Sequence, residues 1–301
     1  MLKKLKIATR KSPLALWQAN HVKNLIESLD TSISVELVKI TTQGDKILDK
    51  PLNDIGGKGL FLKELEESIL IGNTDIAVHS MKDIPASMHE DLEISAILKR
   101  EDARDILISK KYKSLEEFPA KSFIGTSSVR RICFINSLYP GIGIKNIRGN
   151  VDTRIAKLNN LNLDGLILAA AGVHRLNLNK DIAMYFNIDN WVPAIGQGAI
   201  GIQIKRGSKD LKKLISNLNH SHTSICVNIE RQVSKYFDAD CSTPLGAFAS
   251  IHDDKIKLNA MIGNPTNNKI VYDKLEFPIK EHTNSGTLLA EKLSRKYMSI
   301  K

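Results

Sequence analysis

Apolar and polar positions change period several times along the chain, and each change marks an element. Lys6 to Thr9 reads as a short strand, after which Ser12 stands as an N-cap with Pro13 at the first helical position. Ala15, Ala19, Val22, Ile26 and Leu29 then recur at three- and four-residue intervals, the stripe of one helix face. Val35, Leu37 and Lys39 alternate into a second strand, and Leu60 to Leu70 reads as a helix stopped by Gly72. Asp75 to His79 is a strand that breaks at Met81-Lys82-Asp83-Ile84-Pro85. Strand and helix in alternation predict a mostly parallel, doubly wound sheet.

The same grammar returns after about residue 100. Ser122 to Gly125 reads as a strand, and Ser127 or Ser128 caps a helix carrying Arg130 and Arg131 in its first turn. Asn150 opens a helix containing Arg154, and Gly165 to Ala170 is a buried strand running into Gly172, His174 and Arg175. A loop with Trp191 and Pro193 leads to an alternating strand over Ala199–Ile204. From about 220 the pattern shifts to a helix ending near Phe237, strands near 246–251, 256–262 and 269–277, and a helix near 286–298. That last stretch reads as a small α+β unit, so three units fit the chain.

Composition narrows the class. Of 301 residues, 42% are hydrophobic and 25% charged, the mixture of a globular protein with a buried core. The longest apolar run, Gly165 to Val173, is too short to span a bilayer. The basic start is interrupted at Arg10-Lys11-Ser12-Pro13, which breaks any secretory signal. Three widely spaced cysteines, Cys133, Cys226 and Cys241, argue against a disulfide framework and for a reducing, cytoplasmic setting. Lys and Arg number 43 against 33 Asp and Glu, a formal charge of +10 that points to an anionic partner without naming it. Five of the 11 arginines (Arg130, Arg131, Arg148, Arg154, Arg175) fall in one middle stretch, and arginine grips planar carboxylates and phosphates through paired hydrogen bonds.

Position gives these charges a meaning. Arg10 and Ser12 follow the first strand, Lys82 and Asp83 follow the strand at 75–79, Ser127, Arg130 and Arg131 follow the strand at 122–125, and Arg175 follows the one at 165–170. Ligands of doubly wound sheets collect at strand carboxyl ends, so two facing sheets would gather these groups in one anion-binding cleft. A solvated basic face is the alternative. Asp83 is the one carboxylate in the set: either it stabilises a developing cation or moves a proton, or it is an ion-pair or turn residue before Ile84-Pro85. Cys241 sits in a loop, Asp240-Cys241-Ser242-Thr243-Pro244, where a thiol is open to covalent chemistry, whereas Cys133 and Cys226 read as core residues of helices.

Other motifs fail on context. Gly196-Gln197-Gly198-Ala199-Ile200-Gly201 matches a dinucleotide fingerprint, yet a proline-containing loop precedes it and a strand follows, which suits a hinge or a close backbone approach. Gly56-Gly57-Lys58-Gly59 lacks the Ser or Thr of a phosphate loop, leaving a flexible loop or an anion-contacting lysine. His220, His222 and Cys226 have no matching second pair, so no metal site is expected. A nucleic-acid binder has only the charge in its favour, with aromatics at 5% and no recognised module. A two-lobed anion-binding protein of the periplasmic type would explain the architecture but neither the missing signal nor the Asp83 and Cys241 pair.

Taken together, the motifs resemble the porphobilinogen deaminase (hydroxymethylbilane synthase) family. They are Ala8-Thr-Arg-Lys-Ser-Pro-Leu-Ala-Leu-Trp-Gln18, Gly56-Gly-Lys-Gly-Leu-Phe61, Ala77-Val-His-Ser-Met-Lys-Asp-Ile-Pro85, Gly125-Thr-Ser-Ser-Val-Arg-Arg131, Arg148-Gly-Asn-Val-Asp-Thr-Arg154, Ala169-Ala-Ala-Gly-Val-His-Arg-Leu176 and Pro193-Ala-Ile-Gly-Gln-Gly198. The resemblance implies an α/β fold: two doubly wound, periplasmic-binding-protein-like domains around a cleft, plus a small α+β C-terminal domain. Residues 1–98 with 198–217 would form domain 1, 99–197 domain 2 and 218–301 domain 3, with crossings near 98 and 198 acting as a hinge.

It also implies a cytoplasmic, monomeric transferase of tetrapyrrole (haem) biosynthesis, with neither nucleic acid nor membrane as partner. Four porphobilinogen molecules would be joined head to tail with loss of ammonia, then released by hydrolysis as hydroxymethylbilane. A dipyrromethane cofactor would be held by a thioether on Cys241, where Pro244-Leu245-Gly246 fits the family pattern and Asp240 replaces a frequent glycine. Asp83 would contact pyrrole N–H groups and stabilise the charge that builds as ammonia leaves to give an azafulvene. Lys82, Ser128, Arg130, Arg131 and Gln197 would bind the cofactor, and Arg10, Ser12, Gln18, Lys58, Arg148, Arg154 and Arg175 the substrate.

Overall fold

A computed structural model describes residues 3–46, 59–240 and 242–300. Strand β1 (Lys4–Arg10) leads to Ser12, whose side chain accepts the Ala15 N–H and caps α1 (Pro13–Leu29). The predicted apolar stripe of α1 is the face it buries, through Ala19, Val22 and Ile26. Next come β2 (Ser34–Ile40), the short α2 (Gln43–Lys46), α3 (Lys63–Leu70), β3 (Ile76–Ser80) and β4 (Leu92–Ile97). These strands form a sheet in the order β2-β1-β3-β10-β4, where β10 is Ile200–Lys205.

β10 runs antiparallel to both β3 and β4, so the sheet is mixed rather than mostly parallel. The reason is topological. The chain leaves this sheet after β4, builds a second sheet, and re-enters at the same end, so it must run back in the opposite direction. Helices cover both faces: α1 and α7 (Lys209–Ser216) pack on Leu5, Ile7 and Ile202, while α3 packs on Ala8 and Ala77.

The second lobe repeats the plan. Its sheet has the order β7-β6-β8-β5-β9, with β5 at Asp105–Ile108, β6 at Phe123–Gly125, β7 at Gly143–Lys145, β8 at Gly165–Ala169 and β9 at Ile182–Tyr185. β6 lies parallel to β7 and β8, and β5 antiparallel to β8 and β9. α4 (Val129–Leu138) buries Phe134 and Ile135 on one face, and α5 (Val151–Asn160) with α6 (Ala170–Arg175) covers Ile106, Leu166 and Leu168 on the other. The C-terminal unit is an antiparallel meander, β11 (Leu245–His252), β12 (Lys255–Gly263) and β13 (Ile270–Pro278), whose inner face receives α8 (Ser221–Tyr236) and α9 (Ser285–Met298).

The two segments joining the lobes run side by side. Leu98 N–H donates to Ile200 O at 2.9 Å, Glu101 N–H to Gly198 O at 3.1 Å, and Gln197 Nε2 to Ala103 O at 2.7 Å. Gly198 has φ +87°, and a Cβ there would lie 2.4 Å from the Glu101 carbonyl oxygen. Gly198 therefore serves a close backbone approach, one of the two roles its context in the sequence suggested.

Candidate active site

The strand ends of both lobes open on one cleft of about 560 Å³. Arg10 and Ser12 enter its wall after β1, and Ser80, Lys82 and Asp83 after β3. From the second lobe come Arg131 in the first turn of α4, Arg148 and Arg154 around the start of α5, and Arg175 at the end of α6. With Lys11 and Lys157, eight basic side chains face two carboxylates, Asp45 and Asp83, among the described residues. The strand-end rule thus locates the charges that sequence position singled out.

Burial, and for two of them like charge nearby, lowers the pKa values of Lys82, Arg154 and Arg175 from the usual ones. Lys82 and Asp83 lie on a 3₁₀ turn, Met81–Asp83. Lys82 is exposed and lines the cleft, yet desolvation by the surrounding protein pushes its ammonium down to about 8, with Asp83 opposing and Arg131 and Arg154 assisting. Burial first, then Arg131 and Arg148, push Arg154 down to about 10 against the pull of Asp83. Arg175 falls to about 10 through burial, with Glu101 opposing. All three stay charged at neutral pH, and a bound polyanion would relieve the repulsion that Lys82 and Arg154 feel from neighbouring arginines.

Several wall residues are pre-set by neighbours. Arg10 is held by Asp45, with Nε 3.2 Å from both oxygens, and its guanidinium lies 4.1 Å from the centre of the Phe61 ring. Burial would raise the Asp45 carboxyl, but the Arg10 hydrogen bond and charge bring it below its usual value. Arg154 Nε donates to Gly149 O at 2.7 Å, fixing the turn into α5. Arg175 donates to Gly198 O at 2.7 Å and lies 5.5 Å over Trp17 of the opposite lobe.

Beneath Arg131 is a buried acid that the sequence did not flag. Asp105 Oδ1 accepts Arg131 at 2.7 Å and Gln197 Nε2 at 2.9 Å, and Oδ2 accepts Arg130 at 2.8 Å and Trp191 Nε1 at 2.8 Å. Burial alone would raise its pKa, but Arg130, Arg131 and these hydrogen bonds outweigh that and hold the carboxyl far below the usual range. Arg131 also donates to Ile167 O at 2.7 Å, while its Nε is buried without a partner.

The structure does not bring every expected residue to the wall. Successive helix positions diverge by about 100°, so Arg131 meets the cleft while Arg130 turns inward to Asp105 and Val192 O. Gln197 sits in the same buried network. Ser128 caps α4 and sets the helix that carries Arg131. Gln18 is buried and donates to Ser80 Oγ at 2.9 Å, lining a smaller space of about 60 Å³ that adjoins the cleft at Ser80 and Asp83. Burial drops His79 to about 4, with its Gln203 hydrogen bond opposing, so it is neutral at physiological pH. Lys58 and Cys241 lie outside the described residues. The other two cysteines are buried, which pushes Cys133 up to about 11 and Cys226 to about 12, and neither thiol is activated.

Sequence reasoning missed Asp105, Trp191 as its donor, and Asp45. A signal for Asp105 did exist. The charged run Glu101-Asp102-Ala103-Arg104-Asp105 stops abruptly at Ile106-Leu107-Ile108, which places an acid at the mouth of a buried strand.

Two α/β lobes closing a polybasic cleft around an embedded carboxylate define a bilobal protein whose cleft suits a polyanion. Residues 5–213 match the family model described as porphobilinogen deaminase, dipyromethane cofactor binding domain, and residues 224–295 match porphobilinogen deaminase, C-terminal domain. The chain belongs to the porphobilinogen deaminase family. It is a transferase with the hydroxymethylbilane synthase activity of tetrapyrrole biosynthesis, and its cofactor is a dipyrromethane.

Among solved structures, it is similar to the periplasmic VFT2 domain of Bordetella pertussis BvgS (13% identity, 72% of this chain and 86% of that chain, TM-score 0.45). It is likewise similar to the methionine-binding protein MetQ (12%, 78% and 96%, 0.45). The periplasmic aliphatic sulphonate binding protein SsuA from Escherichia coli also matches (13%, 77% and 69%, 0.42). No helix among the described residues is long and apolar enough to cross a membrane, and no group of metal-ligating side chains occurs among them.

Proposed function

We propose that Asp83 is the catalytic carboxylate of this reaction, that Cys241 carries the dipyrromethane, and that the cleft arginines hold the acetate and propionate groups of cofactor and substrate. The observation that carries the reading is Asp83 in a wall of cations: Asp45, the other carboxylate lining the cleft among the described residues, is held by Arg10. The fit to the cofactor rests on Arg131, whose buried Nε has no partner, and on Arg154, whose burial beside Arg131 and Arg148 makes an incoming carboxylate favourable.

When bound, the dipyrromethane supplies the primer to which the first porphobilinogen is joined. Lys82 and Arg131 would hold its carboxylates, with Ser128, Arg130 and Gln197 acting from behind through the α4 cap and Asp105. Arg10, Arg148, Arg154 and Arg175, with Ser12, Gln18 and Lys58 in support, would orient the incoming porphobilinogen. Fixed donors replace its lost hydration without reorganising as charge shifts. Asp83 would accept the pyrrole N–H and stabilise the positive charge that builds on the substrate as ammonia leaves.

The excess of cations lies inside a concave cleft rather than on an open face, and this favours a small acidic metabolite over nucleic acid. We further propose a cytoplasmic monomer, divided at residues 98, 198 and 217, whose lobes move about the two paired crossings as the product lengthens. Asp83→Asn tests the assignment: turnover falls by roughly a hundred- to ten-thousand-fold with the fold intact. Near-normal turnover overturns it.

A further inference from the structure

Helix α8 carries two successive charged side chains that reach out of the C-terminal unit in different directions. Glu230 is fully buried and accepts the Gly196 N–H at 2.8 Å, the Ala249 N–H at 2.9 Å and the Arg100 guanidinium on both oxygens. It therefore pins both crossings, through Arg100 in the first and Gly196 in the second. Arg231 reaches elsewhere, donating to Ile84 O at 3.2 Å and to Pro85 O at 3.0 Å. Those carbonyls follow Asp83 by one and two residues.

The placement of Arg231 is costly. Burial lowers its pKa, and no carboxylate among the described residues pairs with it. A guanidinium taken out of water without an ion pair must recover its hydration from fixed acceptors, and here these are two backbone carbonyls of one turn. The opposite side of that turn is also held: Met81 N–H donates to Ala199 O at 3.0 Å, and a Cβ on Gly196 would come within 2.8 Å of Met81 Cβ. The Asp83 turn is thus clamped by a crossing segment at its start and by Arg231 just past its end.

We propose that Arg231 is a positioning residue for Asp83. By forking onto the Ile84 and Pro85 carbonyls, it fixes the carboxylate relative to the unit that carries position 241, because α8 ends at Tyr236 shortly before that position. The inference rests on the catalytic reading of Asp83. Arg231 lies outside the cleft lining, so its effect is exerted through the turn and not on substrate.

The experiment compares purified holoenzymes carrying Arg231→Leu, Arg231→Lys, Asp83→Asn and the Leu–Asn pair. Arg231→Leu is expected to lower kcat on the order of ten- to a hundredfold with KM nearly unchanged, as for a reacting group displaced by about 1 Å. Its intact mass keeps the cofactor adduct, and amide exchange quickens at residues 81–86 alone. Arg231→Lys, which can still hold one carbonyl, recovers part of kcat and keeps the proposal testable should the leucine variant fold poorly. Added to Asp83→Asn, the leucine change costs nothing further. The proposal is overturned if both Arg231 variants keep parental kcat while Asp83→Asn is inactive, or if the losses in the pair multiply. An active Asp83→Asn enzyme would overturn the catalytic reading as well.

Discussion

Arg130 and Arg131 share one buried acid: Asp105 takes Arg131 on Oδ1 at 2.7 Å and Arg130 on Oδ2 at 2.8 Å. One carboxylate therefore splits two neighbouring cations between the cleft wall and the interior. Asp105→Asn leaves both guanidiniums uncompensated, and removal of one partner from such a buried set costs about 3–5 kcal/mol. Chemical denaturation of the variant checks this. Because the folded carboxyl is held far below its unfolded value near 3.9, its stabilisation is present above that value and is lost as pH falls below it. The parent should lose stability on acidification below about pH 4, and the asparagine variant should show a shallower loss.

Lys82 gives the cleft a titratable cation. Its ammonium is charged below about 8 and neutral above it, the reverse of what a carboxylate ligand needs at alkaline pH. kcat/KM, which reports the free enzyme, should decline as pH rises through that value. In Lys82→Arg the decline should move to higher pH, because a guanidinium keeps its proton. An unchanged profile in that variant assigns the alkaline limb to another group.

Glu230 and Arg100 tie the crossings to the C-terminal unit. Glu230→Gln keeps the shape but leaves Arg100 without its ion pair in a site where the acid is fully buried. Loss of about 3–5 kcal/mol is expected. A thermal melt reads it, and equal stability in the variant would show that water or another group replaces the charge.

Gly198 and Gly207 share a left-handed backbone but not its surroundings, with φ at +87° and +84°. At Gly207 nothing stands within 4 Å of an added Cβ, so Gly207→Ala should cost only the backbone strain of about 1–2 kcal/mol. Gly198→Ala adds a collision with the Glu101 carbonyl and should be clearly worse. Paired denaturation curves decide it, and similar losses would mean that the crossings can separate freely.

Much of this architecture is written locally. The Ser12-Pro13 start of α1, its stripe at Ala19, Val22 and Ile26, and the three strands of the C-terminal meander follow from capping chemistry and period. The cleft was legible because strand ends are where doubly wound sheets place ligands. What stayed hidden depends on distant partners. Nothing near Asp105 in the chain announces Arg130, Trp191 or Gln197, and nothing near residue 200 says that β10 will slot between β3 and β4. Likewise, the helix phase that puts Arg131 at the cleft lining and Arg130 behind it, both on Asp105, is set by how α4 docks, not by its own residues.

If a dipyrromethane bound through Cys241 is extended in this cleft, intact-mass spectrometry of the purified protein will show it. The expected mass exceeds that of the sequence by two linked pyrrole units, sits on a peptide containing Cys241, and climbs by single pyrrole units when porphobilinogen is added. An active protein of unmodified mass, or an adduct on Cys133 or Cys226, would rule out that attachment.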